Sequence, residues 1–392
     1  MTQENLPLKN VLLYLGKFPG YGFDVDGGSI LARQLIDILK IRCNLTVVFI
    51  RKKGETYADS QVKDIRYVEY KNPFGNKFLR RLQNLDTNRE AIGEYNKYDI
   101  IITAHVSKFF GFEGAPLSFW AKTFLFPMFC TNSYKRAGES VPAEYTEMEQ
   151  FVLSHVRKII TPSEIEMMDL VSDYHINPAK IKVVYRGINP IFKAVPRKHN
   201  MNKPQLVCIG SIKKQKNTIA ALSVLNILVK KGVDCSINII CTIQEQAIYK
   251  ELLVFIRNND LTERVHFFFE QTQEQVAQIV QNSDINISVS NWETFGRGIF
   301  EGVSCGLPTF VFSLLTGVRI ICNDNKGVCF AKNEEEMATE IERVIKSPEI
   351  YSEMSKSLQT LADTVSSERE KNELINISLI PQHFDLTLFI SS

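Results

Sequence analysis

Residues 288–308 read SVSNWETFGRGIFEGVSCGLP, and this stretch combines a β-type run, a glycine-containing turn and two glutamates. A β-type run at residues 285–289 leads into a polar loop, and residues 298–305 then begin a helix. The loop carries Glu293, and Glu301 follows eight positions later on the first helical turns. Unpaired N–H groups at a helix start suit a diphosphate, and a carboxylate accepts hydrogen bonds from neighbouring sugar hydroxyls. The stretch therefore indicates a sugar-nucleotide site.

Outward from this unit, short β-rich runs alternate with amphipathic stretches in two series. The first series comprises residues 11–15, 45–50, 65–70, 99–104, 123–129, 158–161 and 181–185, and the second comprises 206–209, 236–241, 265–269, 285–289 and 309–312. Helical stretches separate the runs, and one of them, residues 217–231, has Asn217 as its expected N-cap. Such alternation predicts an α/β fold with two Rossmann-like domains, whose parallel sheets face a central cleft.

A break between the two series marks the predicted domain boundary. Residues 193–204, KAVPRKHNMNKP, contain two prolines, five basic residues and little apolar content, which is typical of a linker. We predict an N-terminal domain at 1–196, a linker at 197–204, a C-terminal domain at 205–375 and a tail at 376–392 that can pack back on the N-terminal domain.

Composition and charge exclude several classes of protein. The 392 residues carry a formal net charge of +2, so no broad basic surface for nucleic acid is expected. The eight cysteines form no CxxC pair and are predicted to be buried thiols in a reducing compartment. We see no secretory signal and no apolar window of membrane-spanning length, so we expect a cytoplasmic protein, with a peripheral position at the inner face of the membrane as the alternative.

The stretch around Glu293 resembles the donor-site signature of the family 4 glycosyltransferases of the GT-B fold, in which seven residues separate two glutamates. Residues 159–164 (IITPSE) and 183–189 (VVYRGIN), completed by Phe192, resemble the end of the family's first domain. The resemblance extends over residues 11–345. It implies a metal-independent, configuration-retaining transfer of a hexosyl group, in glycan biosynthesis, from a nucleoside diphosphate sugar to an acceptor hydroxyl. We predict a UDP-sugar as donor and no other cofactor.

The same resemblance implies a role for individual residues. The N-terminal domain would bind the acceptor and the C-terminal domain the nucleotide sugar, with His105 and Glu293 as the catalytic pair at the donor sugar. The donor diphosphate is expected at Gly27, Gly28, Lys216, Arg297 and Gly298, and the donor sugar and ribose at Glu293, Phe295, Gly296 and Glu301. Domain closure would then assemble one site and exclude water.

Residues 210–217, GSIKKQKN, depart from the family pattern of Gly-Arg, a short spacer and Lys followed by Gly or Asn. Lys216 fits the pattern, but Ser211 stands in the place of the arginine. Either Lys213 or Lys214 supplies the second charge, or the diphosphate is held less tightly. This departure motivates the alternative of a catalytically silent GT-B scaffold or partner subunit. A GT-B sugar-nucleotide epimerase, which keeps the fold and changes the chemistry, is a further alternative.

The acceptor is left open as a glycan, a lipid carrier or a small molecule. Residues 71–81, KNPFGNKFLRR, interleave basic and aromatic side chains, which suits a peripheral contact with anionic lipid or an acidic acceptor, although a solvated loop is the simpler interpretation. Residues 24–26 spell a DxD, but they do not follow a strand as a metal site of that type requires, so we predict no metal.

Overall fold

The structure is a computed structural model that describes residues 8–16, 27–51, 57–71, 76–127, 130–136, 138–195 and 201–379. A seven-stranded parallel sheet, in the order β3-β2-β1-β4-β5-β6-β7, consists of β1 (Asn10–Leu15), β2 (Asn44–Arg51), β3 (Asp64–Glu69), β4 (Ile100–Ala104), β5 (Thr123–Phe126), β6 (Lys158–Thr161) and β7 (Ile181–Val183). A six-stranded parallel sheet, in the order β10-β9-β8-β11-β12-β13, consists of β8 (Gln205–Ile209), β9 (Ser236–Cys241), β10 (Val265–Phe269), β11 (Ile285–Ser288), β12 (Thr309–Phe312) and β13 (Val328–Ala331).

Helices connect and cover the strands. In the first half they are α1 (Gly27–Leu39), α2 (Lys77–Gln83), α3 (Leu85–Ile92), α4 (Leu117–Trp120), α5 (Thr131–Arg136), α6 (Ala143–His155) and α7 (Glu164–Tyr174). In the second half they are α8 (Thr218–Lys230), α9 (Gln246–Asn258), α10 (Gln273–Gln281), α11 (Arg297–Ser304), α12 (Thr316–Cys322), α13 (Glu334–Lys346), α14 (Pro348–Thr364) and α15 (Ser367–Leu379). No helix within the described ranges is both long enough and apolar enough to cross a membrane.

The central strands are buried on both faces, as expected of a parallel sheet between two helix layers. Leu12, Leu13 and Tyr14 of β1 have no exposed surface. Leu31 and Leu35 bury one face of α1 against the same sheet. The eight cysteines form no disulfide, and all but the half-buried Cys329 are buried. These layers leave the carboxyl ends of the strands as the open edge of each sheet, which is where ligands bind in such folds.

The predicted fold class is confirmed, and the structure corrects local details. The sequence series omitted β13. The run predicted at 123–129 ends as a strand at Phe126. Asn217 precedes α8 as predicted, but it has a left-handed φ of +49° and its side chain makes no capping hydrogen bond. Residues 77–81 of the segment interpreted as a solvated loop form part of α2, with Phe78 buried.

The chain crosses back to the first sheet near its described end. The N–H of Ile188 donates to the carbonyl of Val365 at 2.8 Å, and the N–H of Gly187 donates to Glu370 Oε2 at 2.7 Å. Leu374 of α15 is then buried in the core of the first half. Because α15 begins at Ser367, the boundary predicted at 375 falls inside one helix, and we propose to place the crossover at residues 365–367 instead.

Gly187 tests this junction. A Cβ at Gly187 would lie 2.4 Å from Ser367 Cα, so we expect Gly187→Ala to lower the free energy of unfolding by about 2 kcal/mol through overpacking. Urea denaturation measures the change. Gly114→Ala is the matched control, because a Cβ there meets no atom within 4 Å. Equal stability of the two variants would show that the junction yields without strain.

Candidate active site

A cleft of about 610 Å³ lies between the two sheets and is lined from both halves of the chain. Of the predicted site residues, it is lined by Gly28, His105, Ser211, Lys213, Lys216, Glu293, Phe295, Gly296, Arg297, Gly298 and Glu301. Gly27 begins α1 directly beside Gly28, and the preceding residues 17–26, including the DxD, lie outside the described residues. Lys214 is exposed, and its N–H donates to Glu245 Oε1. The structure thus brings most of the predicted residues to one cleft.

Helix α11 reaches the cleft because glycines let it approach neighbouring backbone. Gly296 precedes it with φ +87°, a conformation that side chains rarely adopt. A Cβ at Gly298 would lie 2.9 Å from Ile209 Cβ and from Ile209 O, so only glycine lets the helix start pack on the end of β8. Arg297 Nη1 donates to the carbonyl of Gly187 at 3.1 Å, which ties this helix start to the crossover. Phe295 packs on Phe300, with ring centroids 4.7 Å apart, so its side chain belongs largely to the core.

Glu301 is a buried carboxyl group without a described hydrogen-bond donor. Glu301 is 4% exposed. Burial raises the pKa of its carboxyl group to about 7, although the positive charges of Arg297 and Lys216 act in the opposite direction. Buried polar groups are normally hydrogen-bonded, so such a carboxyl group at the edge of a cleft is suited to a ligand that brings donors. Two neighbouring hydroxyls would supply them.

Glu293 is held by an ion pair and a hydroxyl. Lys216 Nζ lies 2.5 Å from Glu293 Oε1, and the Ser290 hydroxyl donates to the same oxygen at 2.7 Å. The N–H of Asn291 donates to the carbonyl of Gln215, so backbone contacts also join the two loops. An ammonium group has three N–H donors, so Lys216 retains donors for a phosphate oxygen while it stays paired.

The second cation near Lys216 is Lys213 and not Lys214. Lys213 lines the cleft, and burial lowers its pKa, with Lys216 acting in the same direction. Ser211, in the place of the family arginine, accepts a hydrogen bond from the Thr242 hydroxyl at 3.0 Å and carries no charge. Of the two lysines considered, Lys213 therefore lies in the cleft and Lys214 does not.

His105 occupies the end of β4 in an unusual backbone conformation with φ +128°. The N–H of Ser107 donates to His105 Nδ1 at 3.1 Å, and His105 Nε2 lies 3.4 Å from the Tyr134 hydroxyl. Burial, followed by the charges of Arg81, Lys108 and Lys77, lowers the His105 pKa well below its ordinary value. The imidazole is therefore neutral at pH 7, and because Nδ1 accepts, Nε2 carries the proton and is a hydrogen-bond donor.

Sequence reasoning missed Lys108, which follows His105 by three residues. It lies in the short helical turn Val106–Phe109 and lines the same cleft, together with Arg80 and Arg81 of α2. The position of Lys108 could have indicated this. In a tight helical turn that directly follows a strand, the third residue after the strand end lies on the same side as the strand-end residue, here His105. Isolated basic residues in a sequence do not show that they converge.

Glu301→Gln removes a carboxyl group that titrates near neutral pH. The folded state binds this proton more tightly than the unfolded chain does, so stability falls as the pH rises from the ordinary glutamate value of 4.5 to about 7. We expect the variant to match the parent at about pH 5 and to exceed its free energy of unfolding by on the order of 1–2 kcal/mol above about pH 7. Urea denaturation across this range is the measurement. Glu274→Gln removes an exposed carboxylate as the control, and a Glu301 variant less stable than the parent at high pH would contradict the assignment.

The comparisons with known proteins agree with this geometry. The family described as "Glycosyltransferase Family 4" matches residues 25–191, and "Glycosyl transferases group 1" matches residues 192–360. An uncharacterised glycosyltransferase of Haemophilus influenzae is 24% identical over 166 residues, which is 42% of this chain and 46% of that protein, so the match spans less than half of the relative.

Solved structures share the fold over nearly the whole chain. Sucrose-phosphate synthase from Thermosynechococcus elongatus has a TM-score of 0.78 at 14% identity and covers 94% of this chain and 98% of its own. Anabaena HepE in complex with UDP and glucose has a TM-score of 0.72 at 15% identity and covers 94% of this chain and 99% of its own. The two family matches run consecutively from residue 25 to residue 360, and the chain belongs to the family 4, group 1 glycosyltransferases with the GT-B fold.

Proposed function

We propose that this glycosyltransferase moves a hexosyl group from a UDP-sugar to an acceptor hydroxyl, with retention of configuration and without a metal ion. The observation that carries the proposal is the buried Glu301 carboxyl group, which has no described donor and lies in the cleft on the helix whose N-terminus also lines it. A nucleoside diphosphate matches both features, because its ribose brings neighbouring hydroxyls and its diphosphate suits a helix N-terminus.

The nucleotide is assigned to the second half of the chain. In this proposal Glu301 accepts the ribose hydroxyls, and the diphosphate lies at Arg297 and Gly298, where α11 begins. Lys216 and Lys213 then stabilise the negative charge that grows on the departing diphosphate, so that side chains supply the positive charge that a metal supplies in other enzymes. Lys216 is already oriented by its ion pair with Glu293.

The donor sugar is assigned to the space between the two halves. Glu293 would accept hydroxyls of the sugar from the second half, and the Nε2–H of His105 would donate to it from the first half. Gly27 and Gly28, at the start of α1, would let the diphosphate approach the backbone. Rotation about the crossover would bring both sets of groups to the same sugar and exclude water.

UDP is the first nucleotide to test because solved structures with this fold hold it. Anabaena HepE has been solved with UDP and glucose and with UDP-glucose, and each structure covers 94% of this chain. Binding of UDP, GDP, ADP and dTDP sugars, followed by thermal shift, ranks the bases, because a ligand that binds only the folded state raises the melting temperature.

A catalytically silent scaffold is the second candidate, and the uncharged Ser211 is the observation that favours it. Both candidates predict nucleotide binding, so binding alone does not separate them. Release of UDP from a UDP-sugar by the unmodified protein, as hydrolysis or as transfer, supports the enzyme. Binding without turnover across the donor panel, with mixed glycan, lipid-carrier and small-molecule acceptors present, favours the scaffold.

Lys216→Ala tests the charge on the leaving group. If Lys216 acts mainly in the transition state, kcat should fall by about 10²-fold or more while KM changes less. Lys214→Ala is the matched control, because Lys214 is exposed and belongs to the same loop. Steady-state kinetics of donor turnover measure both variants. An equal loss from Lys214→Ala would show that the loop, and not the Lys216 ammonium, is needed.

His105→Ala tests whether the two halves act on one sugar. We expect turnover to fall by about 10²- to 10³-fold, the usual effect of removing a positioned donor, while UDP affinity by calorimetry stays within a few-fold. His266→Ala, at an exposed position of β10, controls for the loss of an imidazole. Turnover at the parent level together with a lower melting temperature would show that His105 is structural.

A further inference from the structure

The wall of the cleft that the first half forms contains a buried lysine with no described counter-ion. Lys108 is 8% exposed and lines the cleft. Its Nζ lies 5.1 Å from the ring centroid of Tyr14 and 5.8 Å from that of Tyr70. Among the residues that the structure describes, no carboxylate pairs with this ammonium group and no oxygen accepts a hydrogen bond from it.

The neighbouring charges are also positive. Arg80 stacks over Tyr70 with 5.5 Å between guanidinium carbon and ring centroid, and Arg81 Nη1 donates to the Tyr134 and Tyr145 hydroxyls. Burial lowers the pKa of Lys108 to about 7, and Arg81 and Arg80 act in the same direction. Burial of a charged group without a partner is unfavourable, so a site of this kind is suited to an anion that arrives with a ligand.

The charged groups assigned to the donor diphosphate lie on the opposite wall, whereas Gly27 and Gly28 at the start of α1 share the first half with Lys108. Lys213, Lys216 and the start of α11 belong to the second half, whereas Lys108, Arg80 and Tyr70 belong to the first. His105 follows β4 directly and precedes Lys108 by three residues, so the lysine adjoins the residue assigned to the donor sugar. An anion bound at Lys108 would thus lie on the acceptor side of the reacting sugar.

We propose that Lys108, flanked by Arg80, binds a phosphate group carried by the acceptor. The proposal rests on the function proposed above, because it assigns the second substrate of the same cleft. A phosphate monoester carries nearly two negative charges at neutral pH, and its oxygens accept several charge-assisted hydrogen bonds, which suits a wall with an ammonium and a guanidinium group better than one carboxylate does. A soluble sugar phosphate and a lipid phosphate share this chemistry.

Calorimetry on the full chain separates this site from the nucleotide site. UDP is titrated first, and its binding tests the nucleotide assignment by itself. Inorganic phosphate and a hexose 6-phosphate are then titrated in saturating UDP, so that the diphosphate position is already filled, with the uncharged hexose as the blank. We expect the phosphates to bind and Lys108→Met to weaken them by about tenfold or more, the effect of losing a hydrogen bond to a charged group.

Two further variants keep the test decisive. Lys122→Met is the matched control, because Lys122 lies 5.3 Å over the Tyr95 ring in the same half but does not line the cleft. It should bind the phosphates as the parent does. Arg80→Gln changes a partly exposed side chain, so it should fold even if Lys108→Met does not, and it should also weaken phosphate binding.

Sedimentation with vesicles distinguishes the source of the phosphate. Vesicles that contain phosphatidic acid, a lipid with a phosphate monoester, are compared with vesicles of neutral phosphatidylcholine, again in saturating UDP. Binding that depends on Lys108 to the soluble phosphates identifies a soluble acceptor, and Lys108-dependent binding to the anionic vesicles alone identifies a lipid phosphate. UDP binding without Lys108-dependent phosphate binding in either arm overturns this inference and leaves the proposed function standing. Phosphate binding without UDP binding leaves the anion site but overturns the UDP-sugar function.

Discussion

The backbone of Gly187 joins the elements on which the cleft depends. Its N–H donates to Glu370 Oε2 of α15, and its carbonyl accepts from Gln34 of α1 and from Arg297 at the start of α11. The backbone of one residue thus connects the two helices whose N-termini reach the cleft with the helix that returns to the first sheet. Because a side chain at Gly187 would overlap Ser367, the junction depends on a residue without a Cβ.

The two walls of the cleft treat charge differently. On the second wall, Lys216 is paired with Glu293, so the ammonium group is oriented and its charge is partly balanced before a ligand arrives. On the first wall, Lys108 has no described counter-ion. Glu301, on α11 in the second half, has no described donor. Burial lowers the pKa of Lys108 and raises the pKa of Glu301, so that the neutral form of each is favoured. The folded chain is therefore less stable at any pH at which these groups would be charged in the unfolded chain. A ligand that carries both hydroxyls and phosphates would offset both terms, which is the physical sense in which the cleft is suited to a nucleotide sugar and a charged acceptor.

Agreement between sequence and structure was best where the signal was local. The family and the GT-B fold are confirmed, and the helix predicted to begin at Gly298 begins at Arg297. Disagreement arose where packing decides. The sequence treated Lys213 and Lys214 alike, but backbone contacts leave Lys214 exposed and place Lys213 in the cleft. Phe295, which was predicted to contact the ligand, lines the cleft, and its ring also packs on Phe300.

The amino-acid sequence alone was enough to predict the alternation of strands and helices, and with it two parallel sheets, because the spacing of apolar residues along the chain differs between a helix and a strand. It also determined the pair Glu293 and Glu301, whose spacing is set within one strand, loop and helix. The folded chain was needed to show that Lys108 faces the same cleft as those carboxylates, and that the return to the first sheet already begins within α15. Those contacts join residues more than a hundred positions apart. Their free energy depends on burial and on neighbouring charges in the folded chain, so a local sequence pattern does not predict them.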